Sequence, residues 1–211
     1  MAVKDCGHHK DKKKELIKKI LIGIAIILAI LVLLILILWA IFRPKSPRFI
    51  LQDATVYTFN LTGPAELTSI IQATVQAKNP NDRVGVYYSH MITYATYCDQ
   101  QITLPTGIPP TYMDSNGMDI WSPFLRGDSV PIAPYIGAQL NQDRSIGVIR
   151  IVVKLDGQVR WKVGSLITGL YGIRVSCPAV IPFGGNDANN GVLVANNAVK
   201  YSLVQGCSVS V

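Results

Sequence analysis

NPNDRVGVYY, residues 79–88, sets a rigid corner directly before a stretch of strand-forming residues. Pro80 fixes its own φ, and Asn and Asp side chains close turns by hydrogen-bonding their own backbone. Val84, Val86 and Tyr88 then alternate with Gly85 and Tyr87, the period of a strand with one buried face. These residues predict a turn that ends one strand and starts the next.

Working outward, the same texture holds from Phe49 to the end. Val, Ile, Thr and Tyr dominate, and Gly, Pro, Asn and Asp punctuate at short intervals, as in an all-β chain. Strands are expected at 49–60, 67–78, 84–98, 146–155, 158–163, 170–177 and 199–211. Asp156-Gly157 lies between two β-rich runs and predicts a two-residue hairpin turn. Gln158, Arg160 and Lys162 alternate with Val159, Trp161 and Val163, giving one wet and one buried face. Residues 104–135 are rich in Pro and are expected to be a long, loop-heavy crossing segment. About seven or eight strands over this length suggest an immunoglobulin- or fibronectin-III-like β-sandwich of two sheets.

The N-terminal part has another character. Ile20–Phe42 is a run of 23 residues without a charge, Pro, Asn or Gln. As a helix it is roughly 34 Å long, enough to cross a hydrocarbon core of about 30 Å. A cleavable signal peptide has a shorter apolar core and small residues after it, so a retained signal-anchor is expected. Seven Lys precede the run, and Arg43, Lys45 and Arg48 follow it. The positive-inside rule therefore predicts a type II protein, with the N-terminus cytosolic and the C-terminal bulk outside. Trp39 and Phe42 stand where interfacial anchors belong. The expected organisation is a basic tail at 1–19, a span at 20–42, a linker at 43–48 and a sandwich at 49–211.

The net charge of +7 resides before Phe49; beyond it, ten basic and ten acidic residues cancel. That balance argues against a nucleic-acid partner. Cys6 falls on the reducing side of the expected topology, and Cys98, Cys177 and Cys207 on the oxidising side. Cys177 ends one late strand and Cys207 lies in the last, so these two are the preferred pair. Cys98 is then the odd thiol, either buried or linking two chains. Asn60-Leu61-Thr62 is the one glycosylation sequon, expected on a surface loop.

NPNDRVGVYY, WSPF (121–124), SVPIAPY (129–135), DGQVRWKVG (156–164) and SCP (176–178), followed by a late Cys207, together resemble one family. It is that of the plant harpin-induced and non-race-specific-disease-resistance-like membrane proteins, with a late-embryogenesis-abundant type domain. The resemblance covers the basic tail, the span and nearly all of 49–211. It implies a fibronectin-III-like sandwich on the outer face of the plasma membrane, with a role in pathogen defence, the hypersensitive response and stress signalling. It carries no catalytic residue or cofactor, so Asn79, Pro80, Asn81 and Trp161 are read as structural. Cys98 departs from the family pattern.

Other motifs give way to plainer readings. Gly127-Asp128-Ser129-Val130 is like a lipase nucleophile block, but His90 is the one exported His and lies far upstream. Arg126-Gly127-Asp128 spells an adhesion tripeptide, and Gly-Asp is also an ordinary turn pair. Cys6, His8 and His9 are weak ligands in a charged tail, so no metal is expected. Ala25-x-x-x-Ala29 has the spacing that lets two spans approach, which leaves a homo-oligomer open. The reading is a non-enzymatic binding protein whose partner is an extracellular protein or a cell-wall ligand. The rivals are a type II secretory enzyme and an adhesive link between membrane and wall.

Overall fold

The computed structural model describes residues 8–42, 44–63, 65–182, 192–194 and 198–211. The chain forms two units, Met1–Arg43 and Pro44–Val211.

In the first unit one helix, α1, runs His8–Phe42. It begins well before Ile20, so part of the basic tail is helical rather than a separate segment. Lys and Glu are good helix formers, and Glu15 stands four residues before Lys19, the spacing and order that support a helix. The large apolar side chains from Leu16 to Ile37 are 46% to 62% exposed. Lys14–Ile37 is long and apolar enough to cross a membrane.

The second unit is built from strands that alternate buried and exposed residues. β1 (Arg48–Thr62) and β2 (Glu66–Lys78) form an antiparallel hairpin. In β2, Leu67, Ser69, Ile71, Ala73, Val75 and Ala77 all point inward. After the Asn-Pro-Asn corner, β3 (Val84–Tyr97) lies in the opposite sheet, with Val84, Val86 and Tyr88 buried as the alternation predicts. Cys98 and Asp99, both at positive φ, make a tight turn into β4 (Gln100–Gln101).

The Pro-rich segment does cross between sheets, but it is not mainly loop. Its short strands β5 (Thr106–Ile108) and β6 (Thr111–Met113) pair with β3. β7 (Met118–Trp121) and β8 (Phe124–Pro131) then pair with β2 in the other sheet. The prolines separate these pieces, since Pro cannot donate to a ladder.

A helix not expected from the sequence follows, α2 (Pro134–Ile146). Pro134 opens it, Ile136 and Leu140 bury its inner face, and Gly147 at φ 84° ends it. The Tyr97 hydroxyl donates to Asp143 at 2.9 Å and ties the helix to the end of β3.

β9 (Val148–Val163) runs straight through Asp156-Gly157, so the expected hairpin is absent. Ile149, Ile151, Val153, Leu155, Val159 and Trp161 keep one inward phase, and Gly157 occupies the inward position between Leu155 and Val159. The reason lies in β3. Its pairing with β9 shifts between Ser89 and Ile92, where His90 takes φ 51°. This bulge drives Met91 into the core above Gly157. A Cβ there would collide with Met91 Sδ and lie 2.9 Å from Met91 Cα. The glycine serves a close approach, not a turn.

β10 (Leu166–Ile167) folds back on β9, and β11 (Tyr171–Pro182) pairs along β9 beyond the expected end at 177. β12 (Val192–Leu193) and β13 (Val199–Gly206) join β1 at the far side of the first sheet. β14 (Ser208–Ser210) then pairs with β11. The expected strand 199–211 is therefore two strands in two sheets, with Cys207 at the crossing. Cys207 is disulfide-bonded to Cys177 of β11, with Cα atoms 4.3 Å apart. Among the described residues the result is a six-stranded sheet facing an eight-stranded one, an all-β sandwich after one N-terminal helix.

Gly157→Ala should destabilise the sandwich by about 1–3 kcal/mol, the usual penalty for overpacking a filled core. Met91→Ala in the same chain should restore only part of the loss, because shortening that side chain leaves the β3 backbone pressed against position 157. Chemical denaturation of the purified chain reads both; an unchanged midpoint for Gly157→Ala would contradict the packing account.

Candidate functional site: the Asn-Pro-Asn corner and the faces around it

Asn79 is fully buried and Asn81 nearly so. Asn79 Nδ2 donates to the carbonyls of Val84 at 2.7 Å and Asp114 at 2.9 Å. Its Oδ1 accepts from Asn81 N at 3.1 Å and from Asn81 Nδ2 at 2.8 Å. Every donor and lone pair of that carboxamide is used. The bond from Asn81 N is the turn closure that the sequence predicts.

Asn81 does something the sequence does not announce. Its Nδ2 donates to Lys45 O at 2.8 Å, and its Oδ1 accepts from Lys45 N at 2.7 Å. The side chain thus mimics a peptide group and pairs with the segment just after the apolar helix. The backbone completes the corner: Asn79 N donates to Gly117 O at 3.0 Å, and Asn116 N to Asn81 O at 2.9 Å. Pro80 has no N–H to satisfy in this crowded place. The corner therefore binds the chain's entry, the start of β3 and the 114–117 turn together.

Above the corner, Phe49, Tyr88 and Trp121 pack across the two sheets, with ring centroids 5.2 to 6.3 Å apart. Trp121 stands out in the sequence only as part of WSPF. Burial, and next the nearby Asp119 carboxylate, push the Tyr88 phenol far above its ordinary range. The tyrosine stays neutral as a packing group. Trp161 is a core residue on β9, and its backbone N–H donates to Thr168 Oγ1 at 2.9 Å.

The remaining sequence candidates separate. Arg126-Gly127-Asp128 lies within strand β8, with Arg126 and Asp128 exposed and Gly127 buried. A Cβ on Gly127 would collide with Ile102 O, so packing alone demands this glycine. Arg126 reaches over the Phe124 ring at 5.9 Å. Ser129 is in β8 of one sheet and His90 in the β3 bulge of the other. Asn60 is exposed, but it sits in β1 opposite Thr68 rather than on a loop. Cys98 is free and exposed in its turn, which removes the buried alternative. Cys6 lies outside the described residues, as do the side chains of His8 and His9. Among the described residues no cluster of His, Cys, Asp or Glu could hold a metal ion.

One hollow of about 350 Å³ opens on the outer face of the eight-stranded sheet, between Asp156, Gly172, Arg174 and Ser210. Its carboxylate is already engaged: Tyr94 donates to Asp156 Oδ2 at 2.8 Å, and Arg174 Nε stands 3.4 Å from Oδ1.

Whole-chain relatives match this sequence. The chain is 53% identical to NDR1/HIN1-like protein 1 of Arabidopsis thaliana over 211 residues, covering 99% of this chain and all of the relative. It belongs to the NDR1/HIN1-like family. NDR1/HIN1-like protein 12 of Arabidopsis thaliana is 47% identical over the full length of both chains. NDR1/HIN1-like protein 26 of the same plant is 40% identical over 152 residues, 71% of each chain. No family model matches.

Asn81→Ala should free Lys45 while leaving the sheets intact. Hydrogen exchange at the Lys45 amide is then expected to accelerate by at least about tenfold, the equivalent of 1.4 kcal/mol, with β2 and β9 amides little changed. Unaltered exchange at Lys45 would show that the carboxamide does not hold this segment.

Proposed function

We propose that this NDR1/HIN1-like chain is a single-pass plasma-membrane protein whose sandwich stands outside the cell. It contributes to pathogen defence, including the hypersensitive response, and to stress signalling, by binding rather than by catalysis. The observation that carries the reading is full-length membership in a family named for disease-resistance and harpin-induced proteins, joined to an exposed apolar helix of spanning length. Seven Lys before the span favour a cytosolic N-terminus. A disulfide in the sandwich accords with an oxidising space. The partner is an extracellular protein or a cell-wall ligand, held by the exposed strands and turns.

Topology is tested with the native thiols. On intact protoplasts a membrane-impermeant maleimide should modify Cys98, and Cys98→Ser should abolish the signal. Labelling of Cys6 alone would reverse the orientation, and labelling only after permeabilisation would place the protein on an internal membrane. A glycosidase-sensitive mass at Asn60 is expected in the same cells. Plants lacking the protein should show weaker pathogen-triggered cell death; an unchanged response would contradict the defence role.

A further inference from the structure

The strand registers define one end of the sandwich. In one sheet Arg48 pairs with Lys78, and Lys78 with Met118. In the other, Val84 pairs with Val163, and Val163 with Leu166. Lys45, held by Asn81, is at this same end. The chain thus enters the sandwich here, and Arg43 and Pro44 are all that separates Lys45 from the end of the apolar run.

The end is not dressed as a simple solvated surface. The β9–β10 hairpin turns at Gly164-Ser165 and carries Leu166 at 74% and Ile167 at 54% exposure on its returning arm. Met118 is also exposed, beside Lys78. Lys45, Arg48, Lys78 and Arg83 are exposed at this same end, with long stems that can lie on apolar surface while their charges reach phosphate. Two adjacent bulky aliphatic residues on a hairpin tip, at the same end as four exposed cations, match an interfacial lipid contact.

We propose that the Gly164–Ile167 hairpin tip inserts into the headgroup region of the bilayer that anchors the chain. Leu166 and Ile167 enter the acyl boundary, and the Lys and Arg at this end meet lipid phosphates. The partner is the lipid surface itself. The contact sets the sandwich's tilt, so that the opposite end, with the Cys98 turn and α2, points away from the membrane. This rests on the membrane reading proposed above. Exposed apolar groups on α2, Tyr135 and Ile146, lack the same support, because no membrane-spanning run enters the sandwich there.

The full chain, reconstituted in phosphatidylcholine nanodiscs with nitroxide lipids, provides the test. A fluorophore is placed at Ser165→Cys or Leu31→Cys in a Cys6→Ser/Cys98→Ser background, or on native Cys98 in Cys6→Ser. The probe at 165 should be quenched by headgroup-level nitroxide several-fold more than the probe at Cys98. The probe at 31 should be quenched by nitroxide deep in the acyl chains. Leu166→Asp with Ile167→Asp should bring quenching at 165 down to the Cys98 level while the melting transition stays in place. Equal quenching at 165 and Cys98, with position 31 quenched, would overturn the insertion and leave the anchor standing. An unquenched probe at 31 would remove the anchor and this proposal together. Protection of position 165 from aqueous iodide only in discs holding two chains would identify a second copy as the occupant, and would also overturn it.

Discussion

Burying a carboxamide without partners costs about 2–7 kcal/mol, and this sandwich buries two side by side at one end. They are tolerated because each satisfies the other and the surplus donors and acceptors find backbone. Asn79 closes on Val84 and Asp114, and Asn81 closes on Lys45. In this arrangement losing Asn81 frees Lys45, whereas losing Asn79 orphans the buried carbonyls of Val84 and Asp114. The arrangement fixes where β3 begins, and hence the phase of Val84, Val86 and Tyr88 against the core.

From that phase the rest follows by pairing. β3 sets β9, whose inward phase holds from Ile149 to Trp161, with Met91 of β3 filling the place over Gly157. β9 in turn sets β11, and the Cys177–Cys207 bond holds β11 to the point where the C-terminal chain leaves one sheet for the other. In the chain-entropy model a bond closing a 30-residue separation contributes roughly 4 kcal/mol. It does so at a chain end, where fraying would otherwise begin. The two fastenings, amide cluster and disulfide, thus secure the chain's entry and its exit.

Features governed by local period were legible in the sequence. The alternation at Val84–Tyr88 and at Val159–Val163 reads directly as strand, and the uninterrupted apolar run reads as a helix long and apolar enough to cross a membrane. Features set by a distant partner were not. Asp156-Gly157 has the composition of a turn, and only Met91, arriving from another strand, reveals why the glycine is there. Residues 199–211 are β-formers throughout, so nothing local marks the change of sheet at Cys207. Helix α2 was legible in principle, through Pro134, Gly147 and the four-residue spacing of Ile136 and Leu140, but its Pro-rich lead-in suggested loop. Asn81 and Lys45 are 36 residues apart, and no periodicity links them.

On this view the Asn79 carboxamide works through its two donors, not merely through its shape. Asn79→Asp keeps the shape, removes both donors and turns a carboxylate toward the carbonyls of Val84 and Asp114. Equilibrium unfolding of the purified chain, compared with wild type at neutral pH, measures the difference. The expected loss is at least about 3 kcal/mol, the scale of orphaned buried polar groups with an unpaired charge. A loss under about 0.5 kcal/mol would contradict it.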